Sequence, residues 1–233
     1  MKTVRLFLCL LRWDVLREIR RKETIPNMVL FALLVLFIAL IGLGPDKNVT
    51  STVGPVIFWI SILFAGTVGL GQTFAAEREA GALGGIVTAP LDLGVFYLAK
   101  VAATWIYVMI MEVLVLGIYS LLFGYSPWEN LGGLLAVMSA FTLGYIGAGV
   151  VLAAMTTALR GGGEVLLRIL LIPLMIPFIW PVLLVSGSLF NTEIASGALG
   201  PPMKLSHCLV VNLAFDTIYL TSGYLLFPKV LEE

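Results

Sequence analysis

Long apolar runs divide the chain into six segments, each followed by a short stretch of charged or turn-forming residues. A bilayer core of roughly 30 Å requires about 20 apolar residues in a helix. Six windows are long enough, at residues 25–43, 53–75, 95–123, 131–159, 165–186 and 205–227. Lipid offers the backbone no hydrogen-bond partners, so each window must be helical. The pattern therefore predicts an all-α, polytopic membrane protein with six transmembrane helices.

The residues before the first window have a different pattern, in which apolar positions repeat at helical spacing among basic ones. The predicted apolar face comprises Leu8, Leu11, Val15, Leu16 and Ile19. This periodicity predicts an N-terminal amphipathic interfacial helix, within residues 1–24, on the cytoplasmic leaflet. The alternative is a basic anchor that only sets topology.

Composition and charge support a membrane protein and give its orientation. The chain is 60% hydrophobic and 12% charged, whereas soluble domains have about 45–50% apolar and about 25% charged residues. Its net charge of zero gives no indication of nucleic-acid binding. Twelve of the 14 Lys and Arg residues fall on one side of the six windows if Lys100 is counted with the second connection. Both termini are therefore predicted to be cytoplasmic.

The domain prediction is a single transmembrane permease domain over residues 1–233. It consists of the interfacial helix (1–24), the six-helix membrane region (25–228) and a cytoplasmic tail (229–233).

The connection between the second and third windows is the most informative loop. It begins as a charged continuation of the second helix, and glycines and Pro90 then interrupt it. A short amphipathic element of this kind suits docking of a cytoplasmic partner, and the alternative is an ordinary polar turn. The residues proposed for docking are Glu77, Arg78, Gly81, Ala82 and Leu83.

The connection between the fourth and fifth windows contains Arg160, Gly161 and Gly162. Consecutive glycines permit a sharp reversal. A phosphate-binding loop is excluded because no GxxxxGK[ST] pattern occurs in the chain. The chain is therefore predicted to lack its own nucleotide-binding site. It is also predicted not to be an enzyme, because its sequence has no nucleophile–base pair and no HExxH or paired-aspartate site.

Three prolines and two acids stand out within the membrane windows. Pro173, Pro177 and Pro181 follow one another at a spacing of four, which places them on one helical stripe. We expect this stripe to kink the fifth span and to face a helix interface or a wet pathway. Glu112 and Asp216 lie mid-span, where acids are costly and indicate function by default. The alternative is a protonated acid bonded to a neighbouring helix.

No metal site is predicted. The two cysteines, Cys9 and Cys208, lie outside any CxxC pattern. The only histidine, His207, could ligate haem or a metal, or could be structural.

Six runs of residues stand out together, namely Gly54-Pro55-Val56-Ile57-Phe58-Trp59, Glu77-Arg78-Glu79-Ala80-Gly81-Ala82-Leu83, Tyr97-Leu98-Ala99-Lys100, Thr142-Leu143-Gly144, Leu159-Arg160-Gly161-Gly162 and Pro173-Leu174-Met175-Ile176-Pro177. With these runs the chain resembles a known family, haem exporter protein B (CcmB). That family is the membrane permease of an ATP-binding-cassette complex in cytochrome c maturation. Most of residues 26–181 take part, and the last span matches weakly.

The resemblance implies an ABC type-2-like exporter permease in a bacterial inner membrane. The partner would be a separate ABC ATPase that carries the ATP, coupled through residues 76–90, with a second contact at Arg160 to Gly162. Two permeases would pair with two ATPases, with haem-handling membrane proteins as further partners. Haem is the expected cargo, and no cofactor is assigned to this chain. Thr104 and Gly71-Gln72 depart from the family pattern, so haem-ligand roles at those places are not carried over.

Two other functions are compatible with the residues. One is an ABC permease for a lipid or drug. The other is a membrane scaffold that recruits haem-handling proteins without transporting anything.

Overall fold

A computed structural model of the chain consists of α-helices joined by short connections. It describes residues 2–44, 47–75, 77, 81, 85, 88, 91–157, 163–190 and 201–232. The helices in this part of the chain are α1 (Lys2–Arg21), α2 (Thr24–Leu43), α3 (Lys47–Gln72), α4 (Leu93–Phe123), α5 (Leu131–Thr157), α6 (Gly163–Leu189) and α7 (Leu205–Glu232). No strand occurs among these residues.

The six predicted spans are confirmed. Each of α2 to α7 is long and apolar enough to cross a membrane. The protein is therefore all-α and multi-pass. An even number of spans puts α1 and the end of α7 on the same side of the membrane, here named the α1 side.

Three boundaries differ from the prediction for identifiable reasons. Asp92 caps α4, because its Oδ1 accepts hydrogen bonds from the N–H groups of Gly94 at 2.9 Å and Val95 at 3.3 Å, so the helix begins two residues before its apolar window. The second window was expected to continue as a helix through Ala75. Instead α3 ends at Gln72, and the N–H of Thr73 donates to the Leu70 carbonyl at 3.1 Å in a turn.

The end of α7 was also placed too early. A proline usually follows the end of a helix, so the prediction stopped at Phe227 and assigned residues 229–233 to a tail. The helix instead continues through Pro228 to Glu232. Phe227 is fully buried, and its ring packs against those of Phe74, Phe96 and Tyr97. This packing holds the last turns of α7 against α4.

Helix α5 forms the centre of the bundle, since 72% of its spanning window is buried, compared with 17% for α2 and α7. Small residues on α5 allow its neighbours to approach closely. The Tyr97 hydroxyl of α4 donates to the Gly147 carbonyl at 2.9 Å.

On the side opposite α1, an aromatic cluster joins α3, α4 and the end of α6 through Phe58, Trp59, Tyr119 and Phe190. The Trp59 indole N–H donates to Ser186 Oγ at 2.7 Å.

Helix α1 packs along the beginning of α4 and leaves five of its ten large apolar side chains exposed. Val4, Leu8, Trp13, Leu16 and Ile19 are exposed. These include three residues of the predicted apolar face, and Leu11 and Val15 are partly buried. The helix is confirmed, and its outward apolar side is the one that an interfacial helix would present to lipid.

Candidate functional site

Four charged side chains from three separate segments meet at the α1 side. Lys100 Nζ lies 2.7 Å from Glu77 Oε1 and 3.0 Å from Asp14 Oδ1. Arg17 Nη1 lies 2.8 Å from the same Glu77 oxygen, and Arg17 Nη2 lies 3.1 Å from Asp14. We call this group (Asp14, Arg17, Glu77 and Lys100) the ion-pair cluster.

The ion-pair cluster is buried, so the stability of the fold depends on each of its charges having a partner. Lys100, Glu77 and Asp14 are only 2%, 3% and 6% exposed. Lys100 also donates to the Thr73 carbonyl at 3.4 Å, so all three of its N–H groups have acceptors. Removing one partner of such a pair leaves an uncompensated buried charge, which is strongly destabilising.

Local sequence explains how each charge reaches the cluster. Asp14 and Arg17 are three residues apart and share a face of α1. The turn after α3 brings Glu77 back towards the bundle. Lys100 lies inside α4, which the Asp92 cap starts at Leu93. Lys100, whose charge was counted with the second connection, therefore lies within the helix of the third window.

The two carboxylates of the cluster respond differently to burial. Burial raises the pKa of Asp14, and the attraction of Lys100 and Arg17 only partly offsets this. Burial would also raise the pKa of Glu77. However, Lys100 and Arg17 together outweigh that effect and hold the pKa of Glu77 below its ordinary value. Glu77 is therefore the carboxylate that the cluster holds most firmly ionised.

The predicted docking residues divide into described and undescribed positions. Glu77 points inward to the ion-pair cluster, while Gly81 is exposed and has a left-handed φ of 61°, a conformation that favours glycine. The remaining predicted coupling positions lie outside the described residues. They are Arg78, Ala82, Leu83, Arg160, Gly161 and Gly162.

Sequence reasoning selected Glu77 but missed its partners Asp14, Arg17 and Lys100. One signal was available, because Lys100 lies five residues inside the third apolar window. A lysine in a span needs a carboxylate partner, and Glu77 and Asp14 are among the acids that the sequence places on the same side of the membrane.

The mid-membrane acid Glu112 contacts the central helix. It is fully buried in α4, and its Oε1 accepts a hydrogen bond from the hydroxyl of Thr142 on α5. Its other oxygen has no hydrogen-bond partner among the described residues. This arrangement fits a protonated acid bonded to a neighbouring helix.

Asp216 occupies a similar position on the other side of α5. It is 2% exposed, and neither of its oxygens has a hydrogen-bond partner in the described part of the chain. It packs against Gly144 of α5, beside Phe178 of α6. Because Gly144 has no side chain, the Asp216 carboxyl group and the Phe178 ring both fit against its Cα, and α5, α6 and α7 meet at this position.

The three prolines do not share one environment. Pro173 is exposed, Pro177 is partly buried and Pro181 is buried. Helix α6 is continuous through all three. Only the end of the stripe away from α1 faces the interior of this chain.

Neither a metal cluster nor a disulfide appears in the described residues. No group of three or more His, Cys, Asp or Glu side chains is placed to hold a metal ion there. Cys9 is exposed and Cys208 is buried, and both thiols are free.

Comparison with known proteins agrees with this architecture. A family model described as CcmB protein matches residues 5–222, which covers nearly all of α1, the whole of α2 to α6 and the first part of α7. The chain belongs to the CcmB protein family. The match covers all four members of the ion-pair cluster, including the α1 residues that the sequence resemblance had not reached.

Curated relatives of this CcmB family member carry the name Heme exporter protein B. The protein of Pseudomonas aeruginosa is 30% identical over 73% of this chain and 74% of its own length. The protein of Rhodobacter capsulatus is 26% identical over 82% of this chain and 83% of its own length. The Escherichia coli protein is 29% identical over 75% of this chain and 78% of its own length. Each of these similarities extends over most of the chain.

Proposed function

We propose that this chain is the membrane permease subunit of an ABC transporter complex that delivers haem to the outer face for c-type cytochrome biogenesis. Family membership and the printed name of the relatives carry this proposal. ATP hydrolysis would take place on a separate ATPase subunit. The chain would lie in a bacterial inner membrane with the α1 side in the cytoplasm.

The ion-pair cluster gives this function a route for coupling. An ATPase subunit bound at residues 76–90 must transmit its conformational change to the transmembrane helices. Glu77 is at the start of that segment and is tied to α4 through Lys100 and to α1 through Arg17. We assign Glu77 a positioning role that anchors the segment, while Arg78, Ala82 and Leu83 make the contact with the ATPase. Arg160 to Gly162 would form the second contact.

Two experiments test the two parts of the proposal. Expression of this chain in a strain that lacks its own haem exporter protein B should restore attachment of haem to c-type cytochromes. Failure of the properly inserted chain to do so would exclude the haem function and favour a permease for another substrate.

Docking is tested by co-purification with a candidate ABC ATPase subunit from the same organism. We expect Arg78→Glu to reduce co-purification and Glu77→Gln to reduce ATPase stimulation while the complex still forms. Lys229→Met is the matched control, since Lys229 is an exposed cation on the same side in α7. Co-purification that is unaffected by Arg78→Glu would refute docking at this segment.

The proposed assembly contains two permeases and two ATPases, because six spans are half the usual set of an ABC transporter. The mass of the purified complex in a native mass spectrum checks this stoichiometry. A complex with one permease would contradict it.

A further inference from the structure

A cleft opens between α6 and the start of α7 on the side opposite α1, which is the outer side in the proposed topology. Its volume is about 570 Å³, and it is an open cleft rather than an enclosed cavity. It is lined by Trp180, Leu184, Pro201, Pro202, Met203, Lys204 and His207.

Local sequence accounts for the cleft. Pro201 and Pro202 precede α7, and the N–H of Met203 donates to the Leu184 carbonyl of α6 at 3.2 Å. This bond ties the approach to α7 against α6. The 48% exposed Trp180 ring lies one turn of α6 before Leu184, so it lines the same opening.

The lining combines four kinds of chemistry in one place. Met203 is partly buried, and His207 one turn later is exposed. Imidazole and thioether are the side chains that most often ligate haem iron in electron-transfer proteins. Lys204 supplies an exposed cation for a carboxylate, and Trp180 with Leu184 supplies apolar and aromatic surface for a flat ring.

We propose that this cleft binds an iron porphyrin at the outer face, with His207 as the iron ligand. Lys204 pairs with a propionate, and Trp180 and Met203 contact the macrocycle. This inference rests on the proposed haem function and identifies where the cargo is held on leaving the chain. The combination of a metal-ligating imidazole with an apolar wall distinguishes this occupant from a lipid headgroup, which Lys204 and Trp180 alone would suit.

The test is a spectroscopic titration of the full-length chain in lipid nanodiscs with haemin, in the ferric and the dithionite-reduced state. We expect saturable binding with a shifted Soret band. His207→Ala should lose that spectral shift and weaken binding by about tenfold or more. Ser206→Ala is the matched control, because Ser206 is the exposed neighbour of His207 and does not line the cleft. It should bind as the parent protein does.

Iron-free protoporphyrin IX separates ligation from simple adsorption. It should bind the parent and His207→Ala alike, since it has no iron to ligate, and Lys204→Gln should weaken both porphyrins by a few-fold. Equal haemin spectra for the parent and His207→Ala would overturn the proposal. Haemin binding that anionic lipid displaces without dependence on His207 would assign the cleft to a lipid headgroup.

The same variants separate this inference from the proposed function. If the parent chain restores cytochrome c maturation but His207→Ala leaves the haemin spectrum unchanged, the cleft proposal fails and the haem function stands. If the parent chain binds haemin through His207 but does not restore maturation, the proposed function fails instead.

Discussion

Helix α4 carries two buried charged residues, Lys100 and Glu112, in very different surroundings. They are twelve residues apart, or about 18 Å along the helix. Lys100 meets two carboxylates and a carbonyl from other segments, whereas Glu112 meets one hydroxyl. A buried charge persists only where opposite charge compensates it. We therefore take the ion-pair cluster as ionised and Glu112 as neutral. The ion-pair cluster then stabilises the fold by electrostatic attraction, whereas Glu112 stabilises it by hydrogen bonding and packing.

The largest effect is expected from Lys100→Met. It leaves Asp14 and Glu77 as buried acids with only Arg17 to compensate them, so the free energy of unfolding should fall by about 3–5 kcal/mol. Unfolding of the purified protein in mixed micelles measures this, with the exposed Lys229→Met as the control. The triple variant Asp14→Asn, Glu77→Gln, Lys100→Met should recover much of the loss. A triple variant no more stable than Lys100→Met would show that charge is not the cause.

The two acids of the ion-pair cluster, Glu77 and Asp14, should differ in how their contributions to stability depend on pH. The pKa of Glu77 is held below its ordinary 4.5, so its stabilisation is fully present above that pH and is lost as pH falls through its lower value in the folded protein. The pKa of Asp14 is raised above 3.8, so its contribution is present below that pH and is lost as pH rises. At neutral pH Glu77→Gln should therefore cost about 1.5–3 kcal/mol, and Asp14→Asn clearly less.

Melting temperatures of the parent and both variants, taken at neutral pH and well below 4.5, check this difference. The gap between the parent and Glu77→Gln should narrow in acid. A gap that widens in acid would reverse the assignment of the two carboxylates.

Packing around the second mid-membrane acid, Asp216, is tested by Gly144→Ala. The new methyl group would clash with the Phe178 ring and the Asp216 carboxyl group, which costs about 1–3 kcal/mol where a core is overpacked. Gly117→Ala in α4 is the control, since nothing lies within 4 Å of its Cβ position and alanine favours a helix. Thermal unfolding should rank Gly144→Ala below both the parent and Gly117→Ala, and equal values would contradict this close approach.

The smallest effect is expected from Glu112→Gln. A neutral amide keeps the oxygen that Thr142 donates to, so the loss should be under about 1 kcal/mol. The same unfolding assay measures it. A loss as large as that of Lys100→Met would mean that Glu112 is ionised and that the comparison between the two ends of α4 fails.

The spans could be predicted because twenty or so apolar residues in succession have one solution in a bilayer. The exact ends of the helices could not be predicted, because they depend on contacts between particular side chains. The Asp92 cap starts α4, and the packing of Phe227 keeps α7 helical past Pro228. The ion-pair cluster depends on α1 lying against α4, and nothing in the local pattern of α1 gives its position relative to a helix some eighty residues later.

The site residues divide in the same way. The prolines were predicted to share a helical stripe, which a fixed spacing implies, but their burial changes from exposed Pro173 to buried Pro181. That change depends on how α6 lies across its neighbours. For Glu112, one of the two interpretations open from the sequence was a bond to a neighbouring helix, and its Thr142 partner comes from tertiary packing.

The contact between Phe227 and Phe74 has a consequence for how the protein is assembled during synthesis. Phe74 lies between the end of α3 and Glu77, yet the ring that covers it belongs to the last span. The α1 side therefore cannot close over the start of the segment proposed for ATPase coupling until α7 has left the ribosome and entered the membrane. A chain paused before its last span would have its earlier helices inserted and this end still open, so an ATPase that requires the packed surface would bind only finished permeases.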